Sequence, residues 1–189
     1  MGRLNDLSLA TQVAVFHNRR AFDQLVREYQ SPVRRFFLTQ SLGDEALSDD
    51  LAQDTFLKAY THIAQYRGTS SFLTWVTRIA YNVWYDHWRS EKGKVNSEQF
   101  SSRDMSADSM SAAKSSLFTF DSSLKMDLRN ALAILKGDER TCITLQLIDG
   151  YDIREIARIT QMKEGTVKSH LSRGKEKLAN YLRQHGYDR

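Results

Sequence analysis

Residues 151–182, YDIREIARITQMKEGTVKSHLSRGKEKLANYL, read as two helices joined by a short turn. Asp152 stands at a helix N-cap position and Glu155 follows three residues later, the spacing of a capping box. Ile153, Ile156 and Ala157 recur at i, i+3 and i+4, so one face of the first helix is buried. After a polar turn at Gln161 and Lys163, Val167, Leu171, Leu178 and Leu182 share one side of the second helix. Lys168, His170, Arg173, Lys175 and Lys177 are left to face outward. A helix-turn-helix that presses a basic helix onto DNA has this pattern. Gly165 and Gly174 interrupt the helical period, and each costs about 1 kcal/mol relative to Ala. That cost implies a close approach, of a neighbouring helix at Gly174 and of a phosphate at the helix end near Gly165. A solvated helical hairpin is the plainer alternative, and the two glycines weigh against it.

The charge of the chain points the same way. Of 189 residues, 27 are Lys or Arg and 23 are Asp or Glu, a formal net charge of +4. Ser123 to Arg189 holds 13 basic against 9 acidic residues, whereas residues 1–90 hold 10 against 9. The surplus therefore sits at the helix-turn-helix end, and it is small enough that DNA affinity from this chain alone is weak and salt-sensitive. Cys142 is the only cysteine, which excludes an intramolecular disulfide and a cysteine zinc finger. Its apolar setting, CITLQLI, reads as core, and the chain as belonging to a reducing interior. No apolar run reaches the roughly 20 residues needed to span a bilayer. The N-terminal MGRLNDLSLATQ lacks the apolar stretch of a signal peptide.

Upstream, helical periodicity prevails, so the fold is expected to be all-α. Ser8 is a candidate cap for a short first helix. Phe22, Leu25, Val26, Tyr29, Val33, Phe36 and Phe37 trace a long apolar stripe that Pro32 is expected to kink or break before Gly43 ends it. Ser48 can cap a third helix, SDDLAQDTFLKAYTHI, with Asp49 and Asp50 in its first turn. A turn at 66–70 leads into SFLTWVTRIAYNVWYDHWRS from Ser71, which buries Phe72, Trp75, Val76, Ile79, Ala80 and Val83. The serine-rich stretch 90–123 has too little apolar surface to offset the entropy of ordering. Residues 1–90 and 123–189 are thus expected to form two small helical domains joined by a flexible linker over 91–122. In the second, a helix carrying Leu124, Leu128, Leu132 and Leu135 should close at Gly137, and another should run from Asp138 to Asp149 with Gly150 at its end.

Two upstream faces carry chemistry. Tyr81, Trp84, Tyr85 and Trp88 lie off the main apolar stripe and are interleaved with Arg78, Asn82, His87 and Arg89. Aromatic faces stack on unpaired bases at roughly 1–3 kcal/mol each while arginines hold the backbone, although a second packed face explains an aromatic stripe equally well. Asp50, Gln53, Asp54 and Leu57 share one face of the third helix, a surface that by itself reads as solvated. His17, His62, His87, His170 and His185 lack metal-ligand spacing, and no nucleophile motif or phosphate-cradling loop occurs. A role without catalysis, metal or other cofactor follows.

Read together, DLAQDTFLKAY at 50–60, YRGTSSFLTWVTRIAYNVWYDHWR at 66–89 and DIREIARITQMKEGTVKSHLSRGKEKL at 152–178 resemble, in order and spacing, the extracytoplasmic-function sigma factors of bacterial RNA polymerase. The resemblance implies sigma region 2 in the first domain and sigma region 4 in the second. It implies that Asp50, Gln53, Asp54 and Leu57 dock on the β′ clamp helices of core polymerase, with the β flap a further contact of the chain. Arg67, Ser70, Ser71, Arg78, Asn82, Tyr85, Trp88 and Arg89 would then open the minus-10 element and hold its single strand, Asn82 reading a flipped-out base. Thr166, Lys168, Ser169, His170, Ser172, Arg173 and Lys175 would face duplex minus-35 DNA. His170 and Ser172 stand where many relatives have arginine or a larger side chain, and Gln161-Met162-Lys163 replaces a frequent serine-proline pair at the turn. The linker would pass toward the RNA exit path. The family implies a cytoplasmic protein under an anti-sigma factor, often membrane-bound, with no membrane insertion of its own. The competing reading is a two-domain regulator that binds DNA unaided; it requires neither a polymerase-docking face nor a single-strand platform. A purely protein-binding adaptor would leave the basic helix unexplained.

Overall fold

The computed structural model describes residues 3–98 and 122–187, and among them there are eight α-helices and no strand. The helices are α1 (Arg3–Phe16), α2 (Arg19–Gln40), α3 (Glu45–Thr61), α4 (Phe72–Glu98), α5 (Ser122–Ala133), α6 (Gly137–Ile143), α7 (Ile153–Thr160) and α8 (Glu164–Gln184). A 3-10 turn at Ile63–Gln65 follows α3, and a π-helical turn at Thr144–Ile148 follows α6. The all-α expectation is met. Of the expected linker, residues 91–98 continue α4, residue 122 opens α5, and 99–121 lie outside the described residues.

The first half forms around the apolar stripe of α2. Leu25, Val33, Phe36 and Phe37 are buried against α1, α3 and α4, with Phe72 and Val76 of α4 fully covered. Tyr29 donates its hydroxyl hydrogen to Asp6 Oδ2 at 2.8 Å and so ties α1 to α2. Local expectations fail at three points. Ser8 caps nothing, because α1 already begins at Arg3. α2 runs through Pro32 without a break, since the buried side chains on either side offset the roughly 3 kcal/mol that an interior proline costs. Asp44, not Ser48, caps α3, accepting from Leu47 N at 3.0 Å, while Ser48 is buried within the first turn. Ser71 does start α4, its Oγ accepting from Thr74 N at 3.0 Å.

In the second half α5 stops at Ala133, and Gly137 opens α6 instead of closing α5. The single helix expected up to Asp149 is α6 plus the π-helical turn, whose wider loop is closed by Asp149 N donating to Thr144 O at 3.1 Å. Gly150, at a φ of +76°, then reverses the chain. The capping box is present: Glu155 N donates to Asp152 Oδ1 at 2.8 Å, and Asp152 N to Glu155 Oε2 at 3.0 Å. α7 and α8 meet through a left-handed Gln161, with a φ of +59°. The halves meet at Gln40, the last residue of α2, which is 1% exposed. Its Oε1 accepts from Thr141 Oγ1 at 3.0 Å and its Nε2 donates to Thr144 Oγ1 at 3.4 Å, while Arg140 Nη1 donates to its carbonyl at 2.9 Å and Arg35 pairs with Asp149.

The two glycines of α8 part company. A Cβ on Gly174 would lie 2.8 Å from Ile143 Cγ1 and 3.2 Å from its Cδ1, so the close approach read from the sequence exists. Around Gly165 there is only open space, and no neighbouring helix explains it. Gly174→Ala is therefore expected to destabilise the fold by about 1 kcal/mol. Overpacking against buried Ile143 costs roughly 1–3 kcal/mol, and the roughly 1 kcal/mol gained in helix propensity offsets only part of it. Chemical denaturation reads the difference, and an equally stable or more stable variant would contradict it.

Candidate nucleic-acid interface and docking face

α3 and α4 each present a different surface. On α3, Asp50, Gln53, Asp54 and Leu57 are all exposed, Leu57 by 58%. A groove of about 800 Å³ runs beside them between α2 and α3, walled by Phe22, Val26, Phe56 and Tyr60. Gln53 and Leu57 line it, whereas Asp50 and Asp54 do not. Arg34 of α2 bonds Asp49 across the rim. The face is thus half apolar and half acidic, unlike a uniformly solvated helix surface.

The second groove, about 840 Å³, lies at the start of α4. Ser70, Arg78 and Asn82 line it, as the sequence reading places them together. Lys58, His62, Gln65, Thr74 and Trp75 line it as well and were missed. The i, i+4 spacing of Lys58 and His62 at the end of α3 was the available signal, one that an acidic-face reading of α3 hid. Arg67 is exposed in the preceding loop, which is held by the Tyr66 hydroxyl donating to Ser70 O at 3.1 Å. Ser71 is half-buried and occupied as the cap of α4, where its Oγ also lies 2.7 Å from Thr74 Oγ1. Its role is to set the helix start.

Further along α4 the aromatics divide. Tyr81 is buried, and burial first, then nearby Asp138, pushes its hydroxyl up to about 12. Trp84 is half-buried against the core. Tyr85 stacks on Tyr81 at 6.2 Å and meets Trp88 at 6.1 Å, with the Arg89 guanidinium 4.8 Å over the Tyr85 ring. Tyr85, Trp88 and Arg89 form a connected ladder in the middle of α4, and none of the three lines the Asn82 groove.

On α8, Thr166, Lys168, Ser169, Ser172, Arg173 and Lys175 are exposed and His170 half-buried. Arg173 is held along the helix by its Nε donating to Ser169 O at 3.2 Å. Lys177 is not free to face DNA: its Nζ donates to Glu139 Oε2 at 2.6 Å. Glu139 is 3% exposed; burial opposes its ionisation, but hydrogen bonds from Lys177 and the Lys136 N–H hold its carboxyl below the ordinary carboxylate range. Lys163, at the N-cap of α8, makes no side-chain cap. Among the described residues no group of three or more His, Cys, Asp or Glu is placed to hold a metal. No helix there is long and apolar enough to cross a membrane.

The comparisons with known proteins place the chain in a family. Residues 25–94 fit Sigma-70 region 2, and residues 125–178 fit Sigma-70, region 4. The chain is 31% identical over 169 residues to the ECF RNA polymerase sigma factor SigW of Bacillus subtilis, spanning 86% of this chain and 89% of that one. It is 30% identical over 162 residues to the RNA polymerase sigma factor CarQ of Myxococcus xanthus, with 86% and 89% spanned. In structure it resembles the sigma factor RpoE of Bartonella quintana, seen in complex with the anti-sigma factor NepR. That match has a TM-score of 0.72 and 26% identity, and covers 89% of this chain and 98% of that one. CnrH, in complex with the cytosolic domain of CnrY, shares the fold at a TM-score of 0.66 and 24% identity, with 95% and 98% covered. A two-domain regulator acting alone is set aside by the ordered match to both sigma regions. The chain belongs to the ECF RNA polymerase sigma factors, non-enzymatic factors of transcription initiation.

Proposed function

We propose that α3 docks on the β′ clamp helices of core polymerase through Asp50, Gln53, Asp54 and Leu57. The groove at Ser70, Arg78 and Asn82 takes the melted minus-10 strand, with Arg67 at its edge and Ser71 fixing its helix. Tyr85, Trp88 and Arg89 meet adjacent DNA, and the exposed face of α8 from Thr166 to Lys175 reads duplex minus-35 DNA. On this reading residues 1–90 and 123–189 are the two functional domains, 91–122 joins them, and the second also meets the β flap. The protein works in the cytoplasm, and an anti-sigma factor restrains it by covering the polymerase-docking face. The resemblance to RpoE bound to NepR supports that restraint.

One observation carries the division of labour: the acidic, apolar face of α3 and the Asn82 groove are lined by different side chains. A substitution in one surface therefore leaves the other intact. Asn82→Ala is expected to cut open-complex formation by roughly five- to 150-fold, as losing a base contact of about 1–3 kcal/mol requires, while core polymerase binding is unchanged. Asp54→Arg is expected to abolish core binding. Permanganate footprinting on a promoter mapped by overexpression, together with core pull-down, separates the two. Equal loss of core binding in both variants would refute the assignment.

A further inference from the structure

The first helix grips the loop at 66–71 from below. On α1, Asp6, Ala10 and Val13 recur at i, i+4 and i+7 and all three are buried. Ala10 and Val13 are apolar and dock the helix unaided. Asp6 is a carboxyl, 2% exposed, whose Oδ1 has no hydrogen-bond partner among the described residues. A half-satisfied buried carboxyl works against the fold, so packing alone does not account for it. Its other oxygen, Oδ2, accepts from the Tyr29 hydroxyl at 2.8 Å. Burial first, and then that hydrogen bond, raise the Tyr29 hydroxyl above its ordinary range, so Tyr29 remains the donor.

Two routes lead from α1 to the loop. The first passes through rings: Tyr29 lies 5.2 Å from Phe72 and Phe72 5.3 Å from Tyr66, centroid to centroid, and the Tyr66 hydroxyl donates to Ser70 O at 3.1 Å. The second is direct. Leu7, half-buried and next in the chain, lies against Gly68: a Cβ there would stand 3.2 Å from both Leu7 methyl carbons, and Gly68 has a φ of +68°. The loop is thereby fixed at Tyr66, Gly68 and Ser70, and Thr69 and Ser70 line the groove with Asn82. A loop ordered before binding has less entropy to lose when it meets a strand.

We propose that Asp6 and Leu7 are positioning residues for promoter opening: through Tyr29 and Gly68 they hold the 66–71 loop in the shape that the melted minus-10 strand meets. Neither side chain lines the groove itself. The role in opening rests on the assignment of the Asn82 groove to that strand; the hold on the loop does not. It gives α1, which lies before the residues matched to Sigma-70 region 2, a part in initiation.

The test uses the full chain, free and assembled with core polymerase, carrying Asp6→Ala or Leu7→Ala. Amide exchange in the free chain is expected to speed up roughly tenfold at 66–71 while the buried turns of α2 and α4 keep their protection. On a mapped promoter with a fluorescent purine analogue in the non-template minus-10 strand, opening should slow roughly fivefold, the rate equivalent of about 1 kcal/mol, with closed-complex affinity unchanged. A fault of stability alone would not separate the two readouts. Tyr29→Phe keeps the ring and cuts the same tie, so it stands in for Asp6→Ala if that variant does not fold. Asp6→Ala and Tyr29→Phe together should slow opening no more than either alone. Leu7→Met refills the space against Gly68 and should restore the parental rate. Unchanged exchange at 66–71 in folded variants overturns the hold. Faster exchange with an unchanged opening rate, where Asn82→Ala slows opening, overturns the positioning role. Should Asn82→Ala itself leave opening unchanged, the groove is not the minus-10 site and the role in opening falls with it, whereas exchange still decides the hold.

Discussion

Phe72→Ala is expected to lower unfolding stability by about 3–5 kcal/mol, the range for removing a buried phenylalanine, and with it most promoter opening. Phe72 is fully buried at the first position of α4, with ring centroids 5.2 Å from Tyr29, 5.3 Å from Tyr66 and 5.4 Å from Trp75. It therefore joins α2, the loop before α4 and α4 itself. Truncating it leaves a cavity beneath Tyr66, whose hydroxyl holds the loop through Ser70 O. Urea denaturation gives the loss directly. Promoter melting should fall further than minus-35 duplex binding, because α8 lies in the other half. A loss below 1 kcal/mol would show that the aromatic cluster repacks and does not set the groove.

Lys177→Met is the second large effect, expected to cost about 1.5–3 kcal/mol at neutral pH, the range for a hydrogen bond to a charged group and less than for a fully buried pair because Lys177 is 36% exposed. Glu139 stays buried with its Lys136 N–H bond but without its main counter-charge, and Arg173, whose Nε is 4.0 Å from Glu139 Oε1, is drawn inward to replace it. The variant should thus lose minus-35 affinity although Lys177 itself is engaged with Glu139. The sign with pH follows from the Glu139 carboxyl, held below its unfolded value in the wild type. Its contribution is present above the ordinary carboxylate range and is lost as pH falls through the lowered folded value. Without Lys177, burial acts with less opposition, the carboxyl titrates higher, and protonation relieves the variant. The gap between the two proteins should therefore narrow on acidification. A constant gap across thermal melts from neutral to acidic pH would exclude Glu139 as the cause.

These two sites also mark what the sequence could tell. Phe72 was legible because its i, i+3, i+4 pattern with Trp75 and Val76 is long and strong; Phe72 and Val76 pack inward as expected, while Trp75 is only half-buried and lines the Asn82 groove. The capping box at Asp152 and Glu155 was legible for a similar reason, since both partners lie within one turn. Lys177 was not. Its partner is 38 positions away in another helix, and no periodicity on α8 separates a lysine bound for Glu139 from one bound for DNA. Tyr81 was left open between a stacking and a packed face for the same reason, because Asp138 and Cys142 of α6, which lie near it, are beyond the linker. At Pro32 and Ser48 local propensity pointed one way and packing the other, and packing prevailed. The Asn82 groove was half legible: its α4 wall followed from helical spacing and the family resemblance, while Lys58 and His62 needed the angle between α3 and α4.

The Gln40 amide sets a condition on protein engineering. Exchanging the helix-turn-helix half for that of a relative is an obvious way to redirect a sigma factor to new promoters. A donor lacking hydroxyls opposite Gln40 would seal a buried amide against groups that cannot bond it, at roughly 1–3 kcal/mol. Such a hybrid would hold its two halves together less firmly than the parent does. Transplants that bring Arg140, Thr141, Thr144 and Asp149 along with the reading helix keep the recipient's own contacts, so the unit of exchange is that contact surface together with the reader.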